Sequence, residues 1–177
     1  MIKILEDKFL ELESRTEHLI SLTSSFSTEQ LQRPENQDAW SVIQVFQHVL
    51  LSESGTLGYI MKKSSAGWDM LETESQHERE NAMKLIHRLA SNERYKAPDV
   101  LPAPPNNESL EQIVERWKEL RGKWKSFLEV FEEQHLDKLV FRQPAAGMIT
   151  MGATMDFLLH HLAHHEPQIN RILSSIK

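Results

Sequence analysis

The sequence predicts an all-α fold, a bundle of long amphipathic helices joined by one or two long irregular crossings. Three observations carry this. Apolar residues recur at the helical period over most of the chain. The six glycines and seven prolines cluster and do not recur at any fixed interval. No alternating strand pattern persists anywhere.

The elements follow in order. A first helix runs from Ile4 to about Phe26, with Leu5, Phe9, Leu12, Leu19 and Leu22 on one stripe, and a polar stretch holding Pro34 ends it. Trp40-Ser41 opens a second helix. Ser41 is placed as its N-cap, ahead of Val42, Val45, Phe46, Val49 and Leu50, and the helix continues to about Lys63 across Gly55 and Gly58. A third, more polar helix lies between about Leu71 and Asn92. Prolines at 98, 102, 104 and 105 forbid a helix from Arg94 to Asn107, so this segment crosses the molecule extended. Ser109-Leu110-Glu111-Gln112 spells a capping box. It starts a fourth helix reaching about Phe131, with Ile113, Trp117, Leu120, Trp124, Phe127 and Leu128 as apolar positions. Val140 to Ile149, with Pro144 and Gly147, reads as a second irregular connection. Thr150 then caps a final helix from Met151 to about Ser174.

Composition narrows the function. The chain has 177 residues, 40% hydrophobic and 26% charged, which fits one soluble domain over 1–177 with a core that needs no staples. A formal net charge of −6 and no Lys/Arg tract argue against nucleic acid as a partner. The absence of cysteine removes disulfides, thiolate ligands and a cysteine nucleophile. Charges interrupt the first residues where a signal peptide needs an apolar run, and no stretch approaches the roughly 18 apolar residues of a membrane span. A cytoplasmic protein without membrane contact is the expectation.

Four of the nine histidines stand in six residues, His160-His161-Leu162-Ala163-His164-His165. Imidazoles four apart share a helix face and can close on one metal ion, and this run holds two such pairs. At about 100° per residue, Met151, Leu158, Leu162, Ile169, Ile172 and Ile176 lie within about 40° of one direction, the core side. His161 and His165 lie within about 75° of it. His160 and His164 lie more than about 130° away. The inward pair is therefore His161/His165, and Gln168 continues its edge one turn later. An inward pair is also compatible with ordinary core-edge packing; a third ligand on another helix separates the two readings. His18, His48, His77, His87 and His135 are the candidates. Only His48 sits in a strongly apolar helix, and periodicity places it on that helix's less apolar side beside Ser52 and Tyr59. His77 and His87 fall on a polar helix, where solvation is expected.

Trp40-Ser41-Val42-Ile43-Gln44-Val45-Phe46-Gln47-His48, with Glu53 following, resembles the tryptophan-serine-to-histidine signature of the DinB/YfiT-like superfamily. Phe157-Leu158-Leu159-His160-His161-Leu162-Ala163-His164-His165-Glu166-Pro167-Gln168-Ile169 resembles that family's second signature, two histidines four apart followed by glutamine-isoleucine. Lys96-Ala97-Pro98 and Pro144-Ala145-Ala146-Gly147-Met148-Ile149-Thr150 resemble its two connecting loops, so the likeness spans nearly the whole chain in order. It implies an antiparallel four-helix bundle holding a divalent metal with three histidines, here His48, His161 and His165. One departure stands out: many relatives have a histidine before the proline of the second loop, where this chain has Gln143.

Three neutral imidazoles suit zinc, with nickel, iron and manganese also compatible. Glu53 lies on the apolar stripe of its helix, where a carboxylate must be paired or protonated. It is a candidate for orienting a ligand imidazole, for accepting a proton near bound water, or for a buried ion pair with a lysine or arginine. Gln168 is a candidate partner of a ligand histidine. Trp40, Trp117 and Trp124 read as packing residues, and Trp68, beside Gly67, as a candidate pocket wall. The resemblance implies a metal-dependent enzyme acting on a small molecule. Either it is a transferase using a low-molecular-weight thiol, or it is a hydrolase. A non-catalytic metal-binding or stress-related protein is the alternative, and a homodimer is compatible with such bundles.

Overall fold

The computed structural model describes residues 1–91 and 103–176. Six α-helices carry the fold: α1 Lys3–Thr23, α2 Thr28–Leu31, α3 Val42–Ser64, α4 Gln76–Ala90, α5 Leu110–Glu129 and α6 Met151–Ser175. Two short strands, β1 Leu139–Gln143 and β2 Gly147–Thr150, pair antiparallel just before α6. No helix among the described residues is long and apolar enough to cross a membrane.

Local sequence sets the starts of the helices. Ser27, Ser41, Ser75 and Ser109 each close a capping box with Gln30, Gln44, Glu78 and Gln112. Each box satisfies donors that a helix N-terminus leaves unpaired. Thr150 caps α6 by accepting from the Ala153 backbone N–H at 3.4 Å. The box at Ser75 sets α4 to begin later than periodicity suggested. The first helix stops at Thr23, and α2 occupies part of the polar stretch ahead of Pro34.

Helices α1, α3, α5 and α6 form the four-helix bundle, and α4 packs on the outside of α6 and β2. Cross-helix pairs give the directions. Lys8 meets Asp156 and His18 meets Glu166, so α1 and α6 advance together. Ser41 meets Asn106 and Glu53 meets Arg121, so α3 and α5 also run together. The antiparallel seams are α3/α6, where His48 meets His161 while Tyr59 reaches Met148 ahead of that helix, and α1/α5, where Thr16 meets Arg121 and Gln32 meets Glu108. Parallel neighbours require long crossings. The link from α3 to α5 is such a crossing: it includes α4, and most of its segment expected to be extended, Arg94 to Asn107, lies outside the described residues. The core is one continuous cluster from all four helices, with Trp117, Trp124, Phe46 and Ile113 among its fully buried members.

The connection expected to be irregular at 140–149 is instead a β-hairpin. Its ladder pairs Leu139 with Thr150, Phe141 with Ile149 and Gln143 with Gly147, with an irregularity between Leu139 and Phe141. That bulge interrupts the two-residue alternation, which is why the strand left no periodic trace. Gly147 sits at φ +78°, a conformation glycine adopts without strain. Gln143 tightens the turn, its Oε1 accepting from the Ala145 and Ala146 backbone N–H groups at 2.6 and 2.9 Å. Behind the hairpin, Leu139 donates to the Glu72 carbonyl at 2.9 Å, which ties the chain before α4 to the same layer.

Candidate metal centre

The centre lies on the antiparallel α3/α6 seam. His48, six residues after the first residue of α3, meets His161 and His165, one turn apart on α6. The three ligand atoms lie within 4.8 Å of one another. The Nε2 of His161 is 3.1 Å from that of His48 and 3.3 Å from that of His165. None of the six other histidines enters this group among the described residues. His18, His77 and His87 are exposed and His135 is buried elsewhere. His160 and His164 stay outside the group, although each is half-buried and not fully solvated.

The surroundings fix the rings. His165 Nδ1 lies 3.0 Å from Gln168 Oε1. Since the amide oxygen only accepts, the ring proton sits on Nδ1, and the Nε2 lone pair faces its partners. Trp40 packs against His48 at 5.2 Å between ring centroids. Phe157 stacks on His161 at 5.4 Å and 16°, and Phe141 continues that wall against Phe157. These aromatic neighbours of the three imidazoles were not read from the sequence. Trp40 looked like a core residue, and Phe141 lay in the supposed irregular loop.

Burial, joined at His161 and His165 by neighbouring histidines, favours the neutral form of all three imidazoles. Burial lowers the His48 pKa. Burial, then the neighbouring His165 and His48, holds His161 well below the ordinary histidine value. Burial brings His165 down to about 4, against the opposing pull of the Gln168 hydrogen bond. Neutral imidazoles are the form that binds metal. The spacing fits as well. Four tetrahedral donors about 2.0–2.1 Å from zinc stand about 3.3–3.4 Å apart, close to the 3.1 and 3.3 Å found here. One feature is incomplete: His161 Nδ1 is buried without a hydrogen-bond partner.

Glu53 resolves toward the buried ion pair. Five residues past His48 it has turned about 140° around the helix, away from the imidazoles and toward α5. Arg121 donates there from Nη1 to Oε2 at 2.8 Å and from Nη2 to Oε1 at 3.3 Å, and also from Nη2 to Thr16 Oγ1 at 2.8 Å. Burial pushes the Glu53 carboxyl up, and Arg121 pulls against that shift. With both oxygens taken by Arg121, the proton-acceptor role considered for Glu53 has no geometry to support it. Trp68 likewise leaves the site, stacking on His135 at 4.4 Å and 8°.

A family model for the DinB superfamily matches residues 11–169. The chain belongs to the DinB superfamily. Among solved structures, this DinB-superfamily chain is similar to YfiT from Bacillus subtilis, with a TM-score of 0.58 at 16% identity, over 98% of this chain and 88% of that one. YfiT is described as a probable metal-dependent hydrolase with an unusual four-helix bundle topology. At this identity the likeness establishes the bundle fold. No match was found among curated protein sequences.

Proposed function

We propose that this DinB-superfamily protein is a metal-dependent hydrolase of a small molecule, with His48, His161 and His165 as the ligands of one divalent ion. The observation that carries the reading is the convergence of three imidazole Nε2 atoms at 3.1 and 3.3 Å on a seam that leaves His48 and His161 partly exposed. The description of YfiT supports hydrolysis over other metal-dependent chemistry. Donor set and spacing favour zinc, with nickel, iron and manganese as the competing occupants. Such an ion, with positions open beyond three histidines, lowers the pKa of bound water and polarises a carbonyl.

The chain's own residues supply the rest. Gln168 holds the His165 proton on Nδ1, which keeps Nε2 free to bind. Trp40 packs against the His48 ring and Phe157 stacks on the His161 ring, which restricts how either imidazole can turn. Among the described residues no carboxylate joins the three imidazoles, so the reading places no general base of the chain beside them.

The test is cleavage of a generic aryl ester by purified protein, measured before chelation, after it, and after adding back zinc or nickel. Chelation is expected to abolish turnover and metal to restore it, with His161→Ala inactive throughout. Conjugation of a low-molecular-weight thiol without ester cleavage would favour the thiol-dependent transferase instead. Metal binding with neither activity would identify a non-catalytic metal-binding or stress-related protein.

A further inference from the structure

On the opposite side of the bundle from the histidines, the α1/α5 seam does not close. A groove of about 450 Å³ runs along it, with Ile20, Val114 and Trp117 among its walls and Thr16 and Arg121 at its floor. Gly122 lies on its edge, where an added Cβ would meet nothing within 4 Å. The two rims differ in charge. Glu13 and Glu17 stand on the α1 rim, and Lys118 and Lys125 on the α5 rim. No ion pair among the described residues joins one rim to the other; Lys118 is paired only at 3.9 Å with Glu115 of its own helix.

We propose that this groove is a homodimer interface, covered by the same seam of a second copy. The charge pattern is self-complementary under a two-fold axis running along the helices. Such an axis sets α1 of one copy over α5 of the other and keeps them antiparallel, as they are within one chain. Thr16 and Arg121 mark one level, because they are hydrogen-bonded at 2.8 Å. Lys125, one turn beyond Arg121, is level with Glu13, one turn before Thr16. Lys118, one turn before Arg121, is level with the Glu17–Ile20 turn. The axis therefore brings each acidic rim onto the partner's basic rim and repeats the pairing, as an isologous contact requires.

Apolar surface and area agree with this occupant. Leu10, 53% exposed, continues the Glu17 line about two turns earlier, so a partner seated on the seam covers it together with Ile20 and Val114. Two helices of about 30 Å length and about 10 Å width present a face on the order of 600 Å², near the roughly 800 Å² per partner of a standard interface. The proposal is independent of the metal site, which faces the other way.

Sedimentation velocity across the micromolar range tests it, using wild type, Lys118→Glu/Lys125→Glu and Glu13→Lys/Glu17→Lys. All four positions are at least partly exposed, and circular dichroism checks that the variants fold. Wild type is expected as a dimer. Each double variant turns one attractive rim repulsive and is expected to weaken self-association by about tenfold or more. Mixing the two variants is expected to restore a dimer, since their rims are complementary. A wild type that stays monomeric overturns the proposal. So does a dimer that both reversals leave unchanged, or a mixture that fails to recover association.

Discussion

His161 is the residue on which the site turns, since its Nε2 lies 3.1 and 3.3 Å from the Nε2 atoms of His48 and His165. Its Nδ1 is buried without a partner, and an unsatisfied buried group of this kind costs about 1–3 kcal/mol. His165 has what His161 lacks, a hydrogen bond to Gln168 at 3.0 Å. Gln168→Ala should therefore weaken metal affinity by about 10–100-fold without unfolding the protein, as read by competition against a chelator of known affinity. The depressed imidazoles also fix a pH dependence for the metal-free protein. Folded His165 takes up its proton near about 4, whereas the unfolded side chain does so near 6.5. Between these values the unfolded state binds more protons, so stability must fall as pH drops from 6.5 toward 4. Urea midpoints of the metal-free protein should decline over that window, and a His165→Gln variant should show a shallower decline. The inward pair was legible in the sequence because a helix wheel needs only the spacing of apolar residues. His48 was not, since its side of α3 is less apolar and only the resemblance selected it.

At the scale of elements, the Glu53–Arg121 pair binds α3 to α5 inside the bundle, with side-chain exposures of 1% and 8%. Breaking a buried pair from one side leaves a lone charge, at a cost of about 3–5 kcal/mol. Arg121→Met alone should destabilise by about that much in a denaturant titration, whereas Glu53→Leu with Arg121→Met should return most of the loss. The sequence showed that Glu53 needed a partner, because a carboxylate on an apolar stripe cannot stay unpaired. It did not show which partner, since Arg121 lies 68 residues away in the chain. The helices themselves were legible to within a few residues, because capping chemistry is local: Ser41 and Ser109 announce their helices by residue type alone. The hairpin was not, since strands of 5 and 4 residues with a bulge leave too few positions for alternation to register. Gln143, noted only as a departure from relatives, proved to hold the hairpin turn.

For the whole molecule, the long crossings matter because they bring α3 and α6 together, joining histidines 113 residues apart in the chain. A metal bound there ties two helices that are otherwise connected only through the core and the hairpin. It binds the folded state alone, because the unfolded chain does not bring His48 near the α6 pair. At a hundredfold excess of free metal over its Kd, the fold should gain about 2.7 kcal/mol. Thermal unfolding should shift upward on adding metal and back on chelation, in wild type but not in His48→Ala. The central claim is that three particular histidines out of nine make one site. Elemental analysis of wild type, His48→Ala, His161→Ala and His160→Ala tests it most directly. The account expects about one ion per chain in wild type and in His160→Ala, and none in the other two. Equal metal in all four proteins would contradict it.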